Sequence, residues 1–245
     1  MTGTIRATAN DILNQVGVEI GLDPVNDPFA AREATYRQMT YLINTAGDEL
    51  CQLYPWEFLR KEGEIIVSAA DSGIYDLPAD FLYLQNQTMW NRTNRRPVMG
   101  PLSPQDWQLL KGWDSTGELT YVSYRLMEDK LQLWPEPPAD GTQINYEYIS
   151  RNWVSDSTNP GTYASRCTVG ADQPLFNRTL LGRMLKVKIL EAKGFDTTKA
   201  QADLNQAFQA LISRNHSAPI LNTCGSSTSY PYLNYRAIPD TGYGG

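Results

Sequence analysis

The sequence has few of the residues that build metal, redox or nucleophilic sites. It contains one histidine, His216, and three cysteines, which are Cys51, Cys167 and Cys224. An odd number of cysteines at wide spacing is not a complete disulfide framework and is typical of a reducing compartment. No CxxC pair and no HExxH motif occurs, so neither a structural zinc site nor a zinc hydrolase is expected. We therefore predict no metal and no cofactor.

Nucleotide-binding and hydrolase motifs are also missing. The glycines form no GxxxxGK[ST] pattern, and none follows a strand-like segment in GxGxxG spacing. A serine or cysteine nucleophile would need a base, and the single imidazole, that of His216, lies at the end of the last predicted helix. Paired carboxylates remain, since a glycosidase needs two, but we interpret them here as charges of turns and exposed helices. The candidates are Asp48 with Glu49, Glu128 with Asp129, and Glu118.

Long apolar runs and excess positive charge are absent as well. The first residues have no apolar core typical of a signal peptide, and no stretch approaches the roughly 18 apolar residues of a membrane span. We expect a soluble protein made in a cytoplasm, with no membrane partner. The net charge of −6 disfavours sequence-specific DNA binding. The basic cluster of Arg92, Arg95 and Arg96 is interpreted as a solvated hairpin turn, and a phosphate contact is the less favoured alternative.

Apolar residues recur every three or four positions in two separate regions, which predicts helices. The first region ends at Pro55 and contains two helices, and the second region contains two more, separated at Gly194. Their predicted spans are 4–20, 28–53, 175–192 and 197–215. The predicted caps are Thr4 or Thr8, Asp27 with Pro28 in the first turn, and Asp196 or Thr197.

Between residues 56 and 151 the segments shorten to strand length, with turn residues between them. EGEIIVS and IYDLP are predicted to form a hairpin, and further turns are predicted at Thr93–Asn94 and at Glu128–Lys130. SPQDWQLLKG predicts a short helix capped by Ser103 and ending at Gly112, and GTQINYEYIS predicts one more strand. We interpret the six tryptophans and fourteen tyrosines as core or subunit contacts, with ligand stacking as a second interpretation.

Together these patterns predict an α+β fold. N- and C-terminal helices, in residues 1–55 and 173–216, are predicted to pack as an antiparallel helical bundle. The β-rich module with its short helix occupies residues 56–151, and residues 152–172 form a connecting loop.

Residues 217–245 have a composition of their own. They are rich in Ser, Thr, Gly and Pro, contain four tyrosines, and carry charge only at Arg236 and Asp240. A solubilising tail would be charged and poor in aromatics, whereas aromatics spaced by Pro and Gly are typical of an extended arm that fills pockets on a partner. We therefore predict an extended C-terminal arm, in a component of an assembly.

Four segments of the middle region resemble a known family. YDLPADFLYLQNQTMWN, RRPVMGPLSPQDWQLLKG, YRLMEDKLQLWPEPP and INYEYISR, in this order, are similar to the head-to-tail adaptor proteins of short-tailed bacteriophages, also called tail tubular protein A in some phages. The clearest matches are Leu77 to Phe81, the short helix around Trp107, and Leu131 to Pro138. The resemblance covers roughly residues 5 to 215, and its specificity comes from the order of the segments.

The resemblance implies a dodecameric ring between the portal protein of the capsid and the tail nozzle protein, with tail fibres as a further candidate partner. Double-stranded DNA would pass through its channel without specific binding, and the protein would be a virion component and no enzyme. The alternatives are a carbohydrate-active or cell-wall-degrading enzyme and a nucleic-acid-binding module. The predicted portal-binding side chains of the arm are Tyr230, Pro231, Tyr232, Leu233, Tyr235, Ile238 and Tyr243.

Overall fold

The computed structural model describes residues 6–70, 72–112, 121–136 and 138–215. These ranges contain five α-helices and three antiparallel sheets, which agrees with the predicted α+β class. The helices are α1 (Ala9–Glu19), α2 (Ala34–Leu53), α3 (Pro104–Gly112), α4 (Arg178–Ala192) and α5 (Thr198–Asn215). The strands are β1 (Arg60–Ile66), β2 (Ile74–Asp76), β3 (Phe81–Leu84), β4 (Trp90–Asn91), β5 (Arg96–Pro97), β6 (Ser123–Met127), β7 (Lys130–Trp134), β8 (Gln143–Ser150), β9 (Val154–Ser155), β10 (Tyr163–Ala164) and β11 (Gln173–Pro174).

Helix α1 begins at a capping box. The backbone N–H of Asp11 donates to Thr8 Oγ1 at 3.2 Å, and the backbone N–H of Thr8 donates to Asp11 Oδ2 at 3.0 Å. Two of the amide groups near the helix start are satisfied in this way. The prediction of Thr8 as a cap is confirmed, and Thr4 lies outside the described residues.

Helix α2 begins later than predicted. Asp27 Oδ1 accepts a hydrogen bond from the backbone N–H of Phe29 at 3.0 Å. This bond closes a turn, and the helix does not begin there. The predicted cap at Asp27 and Pro28 is therefore wrong, because the short-range carboxylate bond satisfies the turn by itself. The helix starts at Ala34, close to Tyr36, the first buried residue of its apolar stripe. Its end at Leu53, before Pro55, agrees with the prediction.

Four helices share one apolar core. Helix α4 contacts α1, α2 and α5, and the aromatic residues that follow α2 pack against the same core. The antiparallel order of this bundle stays a prediction. Fully buried members of the core include Ile12, Leu13, Tyr36, Met39, Ile43, Leu50, Leu180, Leu181 and Leu185.

Strand pairing in the middle region joins segments that are distant in sequence. β1 pairs with β8 over seven residues, from Arg60 opposite Ile149 to Ile66 opposite Gln143, and β2 pairs with β7. The predicted hairpin between EGEIIVS and IYDLP is therefore wrong. A glycine explains part of the preference for β8, because Gly63 leaves room for the ring of Tyr146 directly opposite it.

The other two predicted turns are confirmed. β4 pairs with β5 around residues 92–95, and β6 pairs with β7 around Glu128 and Asp129, which both have positive φ. Two positive φ values at the centre of a two-residue loop match the twist of the flanking strands. These sheets enclose a second apolar core, whose members include Ile65, Val67, Tyr124, Leu131, Leu133, Ile144 and Tyr146.

Residues 152–172, predicted as a connecting loop, contain short strands that are anchored on α1. β9 pairs with β10 and with β11. The backbone N–H groups of Ala9 and Asn10 donate to the carbonyl oxygens of Asp172 and Gly170, at 2.7 and 2.9 Å. The start of α1 is therefore held by this segment through main-chain hydrogen bonds.

Candidate interaction surfaces

The predicted arm side chains, from Tyr230 to Tyr243, lie outside the described residues, as do His216 and Cys224. The described surface closest to them along the chain is the end of α5. Six aromatic or apolar side chains meet there, from the residues that follow α2, from the residue just before Asn177 at the start of α4, and from α5. They are Tyr54, Trp56, Phe58, Phe176, Phe208 and Leu211.

Rings hold this cluster together in edge-to-face and stacked pairs. The centroid of Trp56 lies 5.7 Å from that of Phe58, 5.8 Å from that of Phe176 and 6.0 Å from that of Phe208. The indole N–H of Trp56 donates to the carbonyl oxygen of Leu50 at 2.8 Å, which satisfies the buried donor. The cluster therefore fixes α5 against the end of α2 and the start of α4.

An apolar groove remains open beside this cluster. It encloses about 150 Å³ and is lined by Trp56, Phe58, Phe176, Leu180 and Leu211, with Asn177 and Arg214 as its polar members. Phe58 keeps 38% of its surface exposed there. The described residues thus leave an apolar surface uncovered at the point where the described chain ends.

A second surface is built around Asp80, inside the Leu77 to Phe81 segment. Asp80 Oδ2 accepts from Lys61 Nζ at 2.6 Å and from Ser150 Oγ at 2.7 Å, and Asp80 Oδ1 accepts from Tyr148 Oη at 3.0 Å. The backbone N–H of Arg151 donates to the carbonyl oxygen of Asp80 at 2.8 Å. These bonds join the segment to β1 and to the end of β8, so its role in the structure is to fix the fold.

The same contacts determine the acidity of Asp80. Burial alone would raise the pKa of this carboxyl, but the hydrogen bonds from Lys61, Ser150 and Tyr148 outweigh it and hold the pKa below its usual value. Burial, together with the hydrogen bond to Asp80, raises the pKa of Tyr148. Asp80 is therefore a stabilising carboxylate in its charged form.

Replacing Asp80 by asparagine is expected to lower the free energy of unfolding at neutral pH by about 1 to 2 kcal/mol, because charge-assisted hydrogen bonds are lost. A carboxyl whose pKa is lower in the folded state than in the unfolded state stabilises the fold at any pH above the unfolded-state pKa of about 3.9. This contribution is lost as the pH falls through the folded-state pKa. Urea unfolding between about pH 7 and pH 2 should show the wild-type and Asp80→Asn curves converging in acid. Parallel curves would contradict this account.

The candidate carboxylates and arginines of the sequence have structural contacts. Glu49 accepts from Lys188 at 2.7 Å, and Asp48 accepts from the indole N–H of Trp153 at 3.2 Å. Glu128 and Asp129 form the β6–β7 turn, and Glu118 lies outside the described residues. Among the described residues, Asp48 with Glu49 and Glu128 with Asp129 are not brought together in one cleft.

The arginines lie on and beside the β4–β5 turn, as predicted. Arg92 pairs with Glu62 at 3.2 Å, Arg95 has a positive φ within the turn, and the guanidinium of Arg96 lies 5.7 Å from the ring centroid of Tyr121. All three are exposed.

Three tryptophans are buried and serve the cores. Trp56, Trp107 and Trp153 are at most 3% exposed. Trp107 fixes α3 on the sheet of β6 and β7, since the guanidinium of Arg125 lies 4.6 Å from its ring centroid. The interpretation as core residues is confirmed for these three of the six tryptophans. Trp113 lies outside the described residues.

Exposed apolar side chains lie on and beside β6. Met99, beside β6, and Tyr121, just before it, are 45% and 44% exposed, and Leu126 and Met127 at its other end are 40% and 41% exposed. The backbone N–H of Met99 donates to the carbonyl oxygen of Val122 at 2.8 Å, which places Met99 alongside this strand. Each of these exposed apolar side chains is a candidate for a contact with a partner.

The described residues thus define a mixed helix and strand protein whose carboxylates and buried tryptophans maintain the fold. No three His, Cys, Asp or Glu side chains among them are placed to hold a metal ion. None of the described helices combines the length and apolar character that crossing a bilayer requires.

Comparison with known protein families identifies the family of the chain. Residues 7–221 match the family model of the SU10 adaptor protein. Because this match spans most of the 245 residues, the chain belongs to the SU10 adaptor protein family, a phage head-to-tail adaptor family. The predicted resemblance is confirmed, and membership assigns a structural role in the phage virion. A search of curated proteins found no match.

Proposed function

We propose that the protein is the structural connector between the portal and the tail nozzle of a phage virion. Copies of the chain assemble as a closed, dodecameric ring through heterologous contacts, and the genome passes through the central channel. The observation that carries this proposal is the adaptor family match over residues 7–221. Tail fibres are a further candidate partner on the face opposite the portal.

Ring contacts require apolar surface that a single chain leaves uncovered. The exposed side chains of Met99, Tyr121, Leu126 and Met127 supply such a surface on the β-rich module. Burying apolar area contributes roughly 25 cal/mol per Å², so covering these side chains in a contact between copies would support assembly. The net charge of −6 is compatible with a channel that does not hold DNA phosphates tightly.

The arm of residues 217–245 is proposed to dock on the portal through its tyrosine-rich part, from Tyr230 to Tyr243. Its side chains Tyr230, Tyr232, Tyr235 and Tyr243 offer large contact area at a low cost in conformational entropy, and Pro231 and Pro239 stiffen the chain between them.

Truncating the chain after Thr223 is expected to leave a folded protein that no longer attaches to the portal, because every tyrosine of the arm is removed while the family-matched residues are kept. Cosedimentation with purified portal rings measures attachment, and circular dichroism checks folding. Full-length variants with the four tyrosines changed to phenylalanine or to serine are the matched pair. Phenylalanine should retain attachment, whereas serine should abolish it.

Two results would contradict the arm assignment. One is attachment of the truncated chain with unchanged affinity, and the other is equal attachment of the serine variant. Replacing Arg92, Arg95 and Arg96 by glutamine serves as a further control, since a connector keeps its attachment while a nucleic-acid-binding module loses a salt-dependent affinity for DNA.

A further inference from the structure

We infer that the apolar groove at the end of α5 is the binding site for Ile220 and Leu221 of the same chain. The occupied groove would fix the place where the arm leaves the folded protein. This inference goes beyond the proposed function, because it concerns the isolated chain and does not depend on a portal.

The position of the groove favours this occupant. Leu211 and Arg214 line the groove and lie on neighbouring turns of α5, which ends at Asn215. Leu211 is about 6 Å back along the helix axis from Asn215. The five residues from Asn215 to Ile220 can span at most roughly 17 Å, so a chain that turns back at the helix end reaches the groove with length to spare.

The sequence after α5 supports such a reversal. Residues 216–221 read HSAPIL, and Pro219 disfavours continuation of the helix, since proline lacks the backbone donor and restricts the preceding residue to extended conformations. Ile220 and Leu221 are the only pair of adjacent large aliphatic residues between Asn215 and Gly245. The segment therefore carries its apolar pair directly after a residue that disfavours helix.

Groove size and lining fit a branched aliphatic side chain. A volume of about 150 Å³ among aromatic and leucine side chains can hold an apolar group the size of benzene. Filling it would cover the exposed part of Phe58 and the open side of Leu211. Arg214 at the polar side of the groove can donate to main-chain carbonyl oxygens of the docked segment.

The extent of the family match is an independent observation. The match does not stop with α5 at Asn215 but continues to Leu221, and it excludes the tyrosine-rich residues from Tyr230 onward. Residues 216–221 are thus shared with the adaptor family while the remaining arm lies outside the matched region. This division is expected if the first part packs on the folded protein and the second part contacts a partner.

Backbone hydrogen exchange of the full-length chain tests the inference. In the variant with Ile220→Ser and Leu221→Ser, the amides of the last turn of α5, residues 211–215, should exchange about tenfold faster than in the wild type. Leu233→Ser, a matched change farther along the arm, should leave these rates unaltered. Equal rates in the wild type and the double variant would overturn the proposal.

The concentration dependence of the same rates separates the possible occupants. Docking within one chain predicts protection that is unchanged by dilution over about two orders of magnitude, whereas a segment supplied by a second copy would lose its protection on dilution. Protection that disappears on dilution would overturn docking within the chain. Because no portal is present in this measurement, its failure is distinguishable from failure of the proposed attachment.

Discussion

Replacing Gly47 by alanine is expected to lower the free energy of unfolding by about 3 kcal/mol, the upper part of the range for overpacked cores. Gly47 lies inside α2, and the indole ring of Trp153 rests directly on its Cα, so that a methyl group there would overlap three ring atoms. Alanine favours a helix over glycine by about 1 kcal/mol, but an overlap with a buried, rigid ring outweighs this gain. Urea unfolding followed by circular dichroism measures the change.

A second helical glycine is the control for this variant. Gly182 in α4 has room for a methyl group, since its nearest neighbour would be Val16 Cγ2 at 3.7 Å. Gly182→Ala should therefore be neutral or stabilising by up to about 1 kcal/mol.

A double-mutant cycle identifies the ring as the cause. In the background of Trp153→Phe, which has a smaller ring, Gly47→Ala should cost much less than in the wild type, because contacting residues are not additive. Equal costs in the two backgrounds would contradict the assignment of the strain to Trp153.

Replacing Asp172 by alanine is expected to cost about 3 kcal/mol, because several donors would lose a charged acceptor in a buried place. Asp172 is 1% exposed, and its carboxylate accepts from the backbone N–H groups of Thr168, Val169 and Ser157 at 2.7, 3.0 and 3.1 Å. Burial would raise the pKa of Asp172, but these hydrogen bonds outweigh it and hold the pKa below its usual value. Thermal unfolding measures the loss.

The effect should be confined to the buried carboxylate. Asp156 lies in the same segment and also accepts from neighbouring backbone and side-chain groups, but it is only partly buried. Asp156→Ala should therefore have a much smaller effect than Asp172→Ala. Hydrogen exchange at Ala9 and Asn10 should rise in the Asp172 variant, because their carbonyl acceptors belong to the segment that Asp172 organises. Equal destabilisation by the two substitutions would contradict this account.

Two helix caps and one tight turn were predicted correctly from neighbouring residues in the sequence. Thr8 and Ser103 cap helices through side chains three residues from their partners, and Glu128 and Asp129 turn the chain within two residues. Such features are determined by residues close together in sequence. The predicted helix cap at Asp27 was wrong for a related reason. An aspartate followed by a proline is equally suited to a turn that does not start a helix.

Long-range pairing was not predictable from the same signals. β1 pairs with a strand more than seventy residues later. The alternation of apolar and polar residues in β1 fits pairing with β8 or with a nearby strand equally well. Likewise, nothing in the sequence pairs Gly47 with Trp153 or marks Asp172 as a buried acceptor, since each depends on segments that only the fold brings together. The candidate arm was found from composition alone, and its described neighbour, the groove beside Phe58, required the structure.

The most direct test of the connector assignment is electron microscopy of the full-length protein mixed with its cognate portal. The account predicts a ring of this chain stacked coaxially on the portal, with density for the arm reaching onto the portal surface. Intact portals that carry no ring at saturating protein concentration would contradict it.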